Sequence, residues 1–213
     1  MFLASKKYIH NLPTGIRGFG LVELMVSITI MMLLSSIILV RNSSFNGAVL
    51  LRSQAYEVAF ALRQMQLLAV SGNNVGAQTP TTVQQYGVYF DTASGSEQMY
   101  ILFHDVDASG QWDAGVDTQI GPVGRLDKRF KISAISDVSG TSVTGGGTGY
   151  SVTFVRPNFD AKFNDTVDSG YENTSPIYID IAQINAESDD KSIGQIRRVE
   201  ISNTGQISVT SFP

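Results

Sequence analysis

The hydrophobic pattern changes character three times along the chain. From Phe19 to Val40, 22 residues are nearly all apolar, and Glu23 is the one charged residue among them. About 20 apolar residues, each rising 1.5 Å, cross the hydrocarbon core of a bilayer, so this run predicts a transmembrane helix. Arg41-Asn42-Ser43-Ser44-Phe45-Asn46-Gly47 then forms a polar, turn-prone break. From Ala48 to Val70 the apolar residues Leu51, Ala55, Val58, Leu62, Met65 and Ala69 recur at steps of three and four. That period marks one face of an amphipathic helix, with Arg52, Glu57 and Arg63 off the stripe. Gly72-Asn73-Asn74 supplies a C-terminal stop.

After a loop over Gly76–Thr82, the pattern shortens to strand length. The runs are Gln85–Phe90, Met99–Phe103, Phe130–Ile135, Tyr150–Val155, Ile177–Ile181, Arg197–Ile201 and Gln206–Val209. They are rich in Val, Ile, Tyr and Phe and bounded by Gly, Asp, Asn and Ser, as strands joined by tight turns are. Ser202-Asn203-Thr204-Gly205 between the last two predicts a terminal hairpin. The expected fold is α+β: a long N-terminal helix, half transmembrane and half amphipathic, packed on an antiparallel sheet domain.

The residues before the apolar run carry Lys6, Lys7 and Arg17 and no acid. Basic residues ahead of such a segment hold that end in the cytoplasm and export the remainder. The run is longer than a secretory signal's apolar region, and no small-residue cleavage site closes it. A plain signal anchor fits these features. The string Gly18-Phe19-Gly20-Leu21-Val22-Glu23-Leu24-Met25-Val26 adds something more specific. It resembles the cleavage and methylation signature of type IV pilins and of type II secretion pseudopilins, departing at Gly20, where the family more often has Thr.

The resemblance implies cleavage by a prepilin peptidase between Gly18 and Phe19, N-methylation of Phe19, and an assembly role for Glu23 as the fifth mature residue. A carboxylate inside a bilayer is costly, and pairing it with the Phe19 amine of a neighbouring subunit offsets both charges. The resemblance also implies a helix continuing through residues 41–47. Four segments follow: a leader over 1–18, a transmembrane and filament-core helix over 19–41, its amphipathic continuation over 42–72, and an exported β-rich domain over 73–213. Arg197 and Gly205, eight residues apart between the closing strands, are similar to the ending of the subgroup named after the H pseudopilin and the FimT pilin.

Composition narrows the chemistry. The chain has no cysteine, so disulfides, Cys-type zinc sites and thiol nucleophiles are excluded. The formal charge is −4; loss of the leader's three positive charges makes it −7, which disfavours broad binding to nucleic acid. Twenty glycines and 16% charged residues suit strands and turns.

Four constellations along the chain bear on chemistry. In Asp105–Asp117, the residues Asp105, Asp107, Ser109 and Asp113 place oxygen ligands at positions 1, 3, 5 and 9 of an EF-hand-like Ca²⁺ loop, with Gly110 at 6. Position 12 is Val116 where a bidentate Glu belongs, so an Asx-rich hairpin turn is the alternative. Gly140–Tyr150 is glycine-rich but lacks the Lys and the helix of a phosphate loop. Once the leader's His10 is removed, His104 stands alone at a strand end, reads as a surface residue, and no nucleophile elbow accompanies it. Lys191, Arg197 and Arg198 form a small basic cluster beside the acidic Glu187-Ser188-Asp189-Asp190. Some minor pilins of the similar subgroup bind DNA through C-terminal arginines, which makes Arg197 and Arg198 candidate DNA contacts.

The expected function is that of a structural subunit, a minor pilin or pseudopilin, in a type IV pilus-like filament. The alternatives are a pseudopilin of the periplasmic secretion piston, or a minor pilin for DNA uptake or adhesion. No enzyme and no cofactor beyond a possible Ca²⁺ are expected. The partners are other subunits, the prepilin peptidase and the inner membrane, with the C-terminal domain outside.

Overall fold

The computed structural model describes residues 20–71, 85–144, 149–155, 159–165, 175–184 and 196–211, without the side chains of 40–46 and 165. Gly18 and Phe19, the stop at 72–74, the loop at 76–82, Lys191 and the acidic run 187–190 lie outside the described residues. The fold is α+β. One helix, α1 (Leu21–Ser71), precedes two antiparallel sheets. Residues 41–47 are helical, so the polar break does not end the helix. The chain divides into two compact units, Met1–Ser44 and Phe45–Pro213.

In the first unit, Leu21–Leu39 is long and apolar enough to cross a membrane, and none of it is buried within the protein. Two of its hydroxyls find partners in the helix itself: Ser27 Oγ donates to the Glu23 carbonyl at 2.7 Å and Thr29 Oγ1 to the Met25 carbonyl at 2.8 Å. Such back-bonding removes the cost of an unsatisfied hydroxyl in an apolar setting.

The second unit holds the sheets. The larger sheet has the order β3-β2-β1-β6-β7, with β4 also on β2. Its strands are β1 (Gln85–Asp91), β2 (Met99–Asp105), β3 (Thr118–Gln119), β4 (Gly124–Arg125), β6 (Gly149–Val155) and β7 (Ala161–Asp165). The smaller has the order β10-β9-β8-β5, from β5 (Phe130–Ser136), β8 (Ile177–Gln183), β9 (Ile196–Ile201) and β10 (Ile207–Ser211). The terminal hairpin pairs Ile201 with Ile207 and Val199 with Val209. The short β3 and β4 and the strand β7 have no counterpart in the sequence pattern, where they are too brief or too polar to register.

The apolar stripe of the helix is fully buried at Leu51, Ala55, Val58, Leu62, Met65 and Ala69. It joins one core with Tyr86, Val88 and Phe90 of β1, Val152 and Phe154 of β6, and Ile179, Ile181, Val199 and Ile201 of the smaller sheet. Removing this much apolar surface from water is the main stabilising term. Polar side chains of α1 tie its edges down: Gln54 Oε1 accepts from the Asp127 amide at 2.7 Å, and Arg63 Nη2 donates to the Ile207 carbonyl at 3.0 Å.

Candidate functional site

The Asp105–Asp117 segment leaves β2 and returns as β3. Asp105 and Asp117 are turned inward, and backbone amides meet their carboxylates, which offsets the cost of burying them. Asp105 Oδ1 accepts from the Ser109 amide at 3.2 Å and Oδ2 from the Gly110 amide at 2.7 Å. Asp117 Oδ1 accepts from Val106 at 3.0 Å and Oδ2 from Asp113 at 2.8 Å. Asp107 Oδ1 takes a second bond from the Ser109 amide at 3.1 Å. Ala108, with φ of 63°, and Gly110, with φ of 79°, make the tight turns that aim these amides.

The carboxylates of Asp105, Asp107 and Asp117 each offer an oxygen within 4.8 Å of the others. The expected ligands Ser109 and Asp113 are placed otherwise. The Ser109 hydroxyl bonds Gln111, and the Asp113 side chain is exposed and lies outside the group. Asp117 takes the place that counting had given to Asp113. Burial pushes the Asp105 carboxyl up to about 7, against the Gly110 amide, with the neighbouring Asp117 charge adding to the rise. Burial raises Asp117 as well. Burial also acts upward on Asp107, but hydrogen bonds from Ser109 outweigh it and hold that carboxyl low. As a Ca²⁺ site, three carboxylates offering one oxygen each supply three of the six to eight oxygens the ion takes. As an Asx loop, every oxygen of Asp105 and Asp117 already has a backbone donor.

The loop also covers the outer face of the larger sheet. Trp112 packs edge-on against Phe103, with ring centroids 5.6 Å apart, and its amide donates to Ser151 Oγ at 3.2 Å. Asn164 of β7 donates to the Ser109 carbonyl at 3.3 Å and accepts from Gln111 at 3.2 Å. These bonds explain why Ser151 and Asn164 are buried although polar.

His104 corrects the expectation of a surface residue. It is 4% exposed, paired with Tyr86 of β1 on one side and Thr118 of β3 on the other, with its ring 4.8 Å from that of Tyr86. The brief β3, invisible in the sequence, closes the sheet over it. Burial lowers its pKa, which favours the neutral imidazole.

The arginine pair splits because successive strand residues face opposite ways. Arg198 forks onto Asp180 with bonds of 2.7 and 2.8 Å and lies 4.3 Å over the Tyr178 ring. Its charge is therefore engaged within the sheet. Arg197 turns to the other face and lines a cleft with Arg52 and Tyr56 of α1.

Residues 14–39 match the prokaryotic N-terminal methylation motif, the leader signature of type IV pilins and pseudopilins. The match covers the end of the leader and the apolar start of α1, with Gly18, Phe19 and Glu23 inside it. No curated protein and no solved structure matches the chain.

Proposed function

We propose that this protein is a membrane-anchored structural subunit of a type IV pilus-like or pseudopilus filament, without enzymatic activity. One coincidence carries the reading: the methylation motif at 14–39 falls on a helix whose segment Leu21–Leu39 is wholly unburied and has Glu23 as its single charge. An apolar helix of that length has two ways to leave water, a bilayer before assembly and the helices of other subunits after it. Prepilin peptidase would cut between Gly18 and Phe19, and the methylated amine of Phe19 would meet Glu23 of a neighbouring subunit. Such a pair sets register as well as lowering the cost of two charges in an apolar core. The domain beyond residue 44 would face outward, in the periplasm or at the cell surface.

The test is co-expression of the full chain with a prepilin peptidase, followed by mass spectrometry of the mature N-terminus. The expected product begins at methylated Phe19, and Gly18→Ala stays uncut. An intact Met1, or cleavage elsewhere, would overturn the reading. Co-purification with a surface pilus or with a secretion complex then distinguishes the two filament types.

A further inference from the structure

The cleft of about 250 Å³ that receives Arg197 is lined by Arg52 and Tyr56 of α1, Arg197 of β9, and Val209, Thr210 and Ser211 of β10. Two guanidinium groups and three hydroxyl-bearing side chains converge there, and no carboxylate is among the described lining residues. Among the described residues neither arginine has an acidic partner, in contrast to Arg129, Lys131 and Arg198, which pair with Asp127, Glu97 and Asp180. Arg52 reaches Tyr56 through a bond of 3.4 Å and lies 5.5 Å over its ring. The buried Nε of Arg197 finds no acceptor among the described residues. A buried charged donor without an acceptor is expensive, and a carboxylate suits the two guanidinium groups that line the cleft.

A second cleft along the same helix shows what a self-satisfied site looks like. There Arg63 is spent on the Ile207 carbonyl, and Gln66 Nε2 on the carbonyls of Phe159 and Gly205. In the first cleft Arg52 reaches only the Tyr56 hydroxyl, and Nε of Arg197 has no acceptor among the described residues. The hydrogen bond and charge of Arg52, followed by the charges of Arg197 and Arg63, hold the Tyr56 phenol below its ordinary range, consistent with a local field of one sign.

We propose that Arg52, Tyr56 and Arg197 form a docking site for an acidic peptide segment of a partner protein, whose carboxylate sits between the two guanidinium groups. Tyr56 is 48% and Phe60, one turn further along α1, 69% exposed, giving the same segment an apolar surface beside the charged one. A nucleic acid fits less well. Its affinity comes from many phosphate contacts, whereas this cleft offers two cations on a chain of formal charge −4. The site is independent of the filament reading, because it lies wholly in the domain beyond residue 44.

The test uses the full chain in detergent micelles and fluorescence anisotropy with a labelled hexaglutamate peptide, competed by inorganic phosphate and by a thymidine hexanucleotide. Arg52→Ala and Arg197→Ala should each weaken peptide binding at least tenfold, while Arg129→Ala, an exposed arginine elsewhere, leaves it unchanged. Arg52 projects from the helix surface, so its variant keeps the fold and decides the matter if Arg197→Ala fails to fold. Absence of saturable binding, or equal loss in Arg129→Ala, overturns the proposal. Tighter binding of the hexanucleotide than of the peptide overturns it in favour of nucleic acid, and competition by phosphate as strong as by free peptide reduces it to a general anion site.

Discussion

Asp180 of β8 and Arg198 of β9 stand directly opposite one another and share two hydrogen bonds, 2.7 and 2.8 Å long. Their side chains are 7% and 14% exposed, so the pair is largely withdrawn from water. Breaking a buried pair strands one charge, which costs about 3–5 kcal/mol. Asp180→Ala or Arg198→Ala is expected to lose about 3 kcal/mol, and the double variant less than the sum of the two. Denaturant melts of all four proteins check this; strictly additive losses would show that the pair contributes no coupling.

Asp105 makes stability depend on pH. Its folded-state pKa of about 7 lies above the ordinary value near 3.9, so the folded chain holds a proton that the unfolded chain has released. The contribution is complete below about pH 4 and fades as pH rises towards 7. Asp117 acts with the same sign, and His104 with the opposite one below its ordinary pKa. The difference between wild type and Asp105→Asn isolates the effect. Wild type should lose stability relative to the variant between pH 5 and pH 7.5, and a flat difference would refute the assignment.

The backbone donors around Asp105 and Asp117 hold the loop together on their own. Incubation with EDTA at pH 6 is therefore expected to leave Tm unchanged. A fall of several degrees, restored by Ca²⁺, would show instead that the three clustered carboxylates depend on an ion.

Gly205 carries φ of 79°, and a Cβ there would overlap the Phe159 carbonyl oxygen and press on Gln66 Nε2 at 2.5 Å. Left-handed backbone costs a side chain about 1–2 kcal/mol and overpacking about 1–3 kcal/mol more. Gly205→Ala should lower stability by about 2–5 kcal/mol on those two grounds. Gln66→Ala in the same background should relieve part of the clash, which a double-variant melt would reveal.

If Glu23 registers incoming subunits, Glu23→Leu should leave cleavage and membrane insertion intact while abolishing incorporation into filaments. Immunoblots of membrane and sheared-filament fractions separate the two steps. Incorporation at the wild-type level would remove Glu23 from the assembly mechanism.

Much of this architecture is written in local pattern. The unbroken apolar run predicts a helix able to cross a membrane, and the steps of three and four from Leu51 to Ala69 predict the buried face, because periodicity reports which side of an element meets the core. Strand runs with turn residues at their ends predict seven of the ten strands among the described residues and the terminal hairpin. The two-residue β3 and β4 follow from neither propensity nor period, since they exist only because β2 offers them an edge.

The sequence by itself determined the α+β class, the methylation motif and the helix that carries it, since each depends on residues close together in the chain. Tertiary structure decided what the polar side chains do. It buried His104 beneath β3, gave Asp117 the place in the loop that spacing had assigned to Asp113, and turned Arg197 and Arg198 to opposite faces of one strand. One arginine thereby became half of an internal ion pair, the other a cation facing a cleft. Such fates depend on partners from distant segments, such as Asp180, Arg52 and Thr118, and no local pattern in the chain records those meetings.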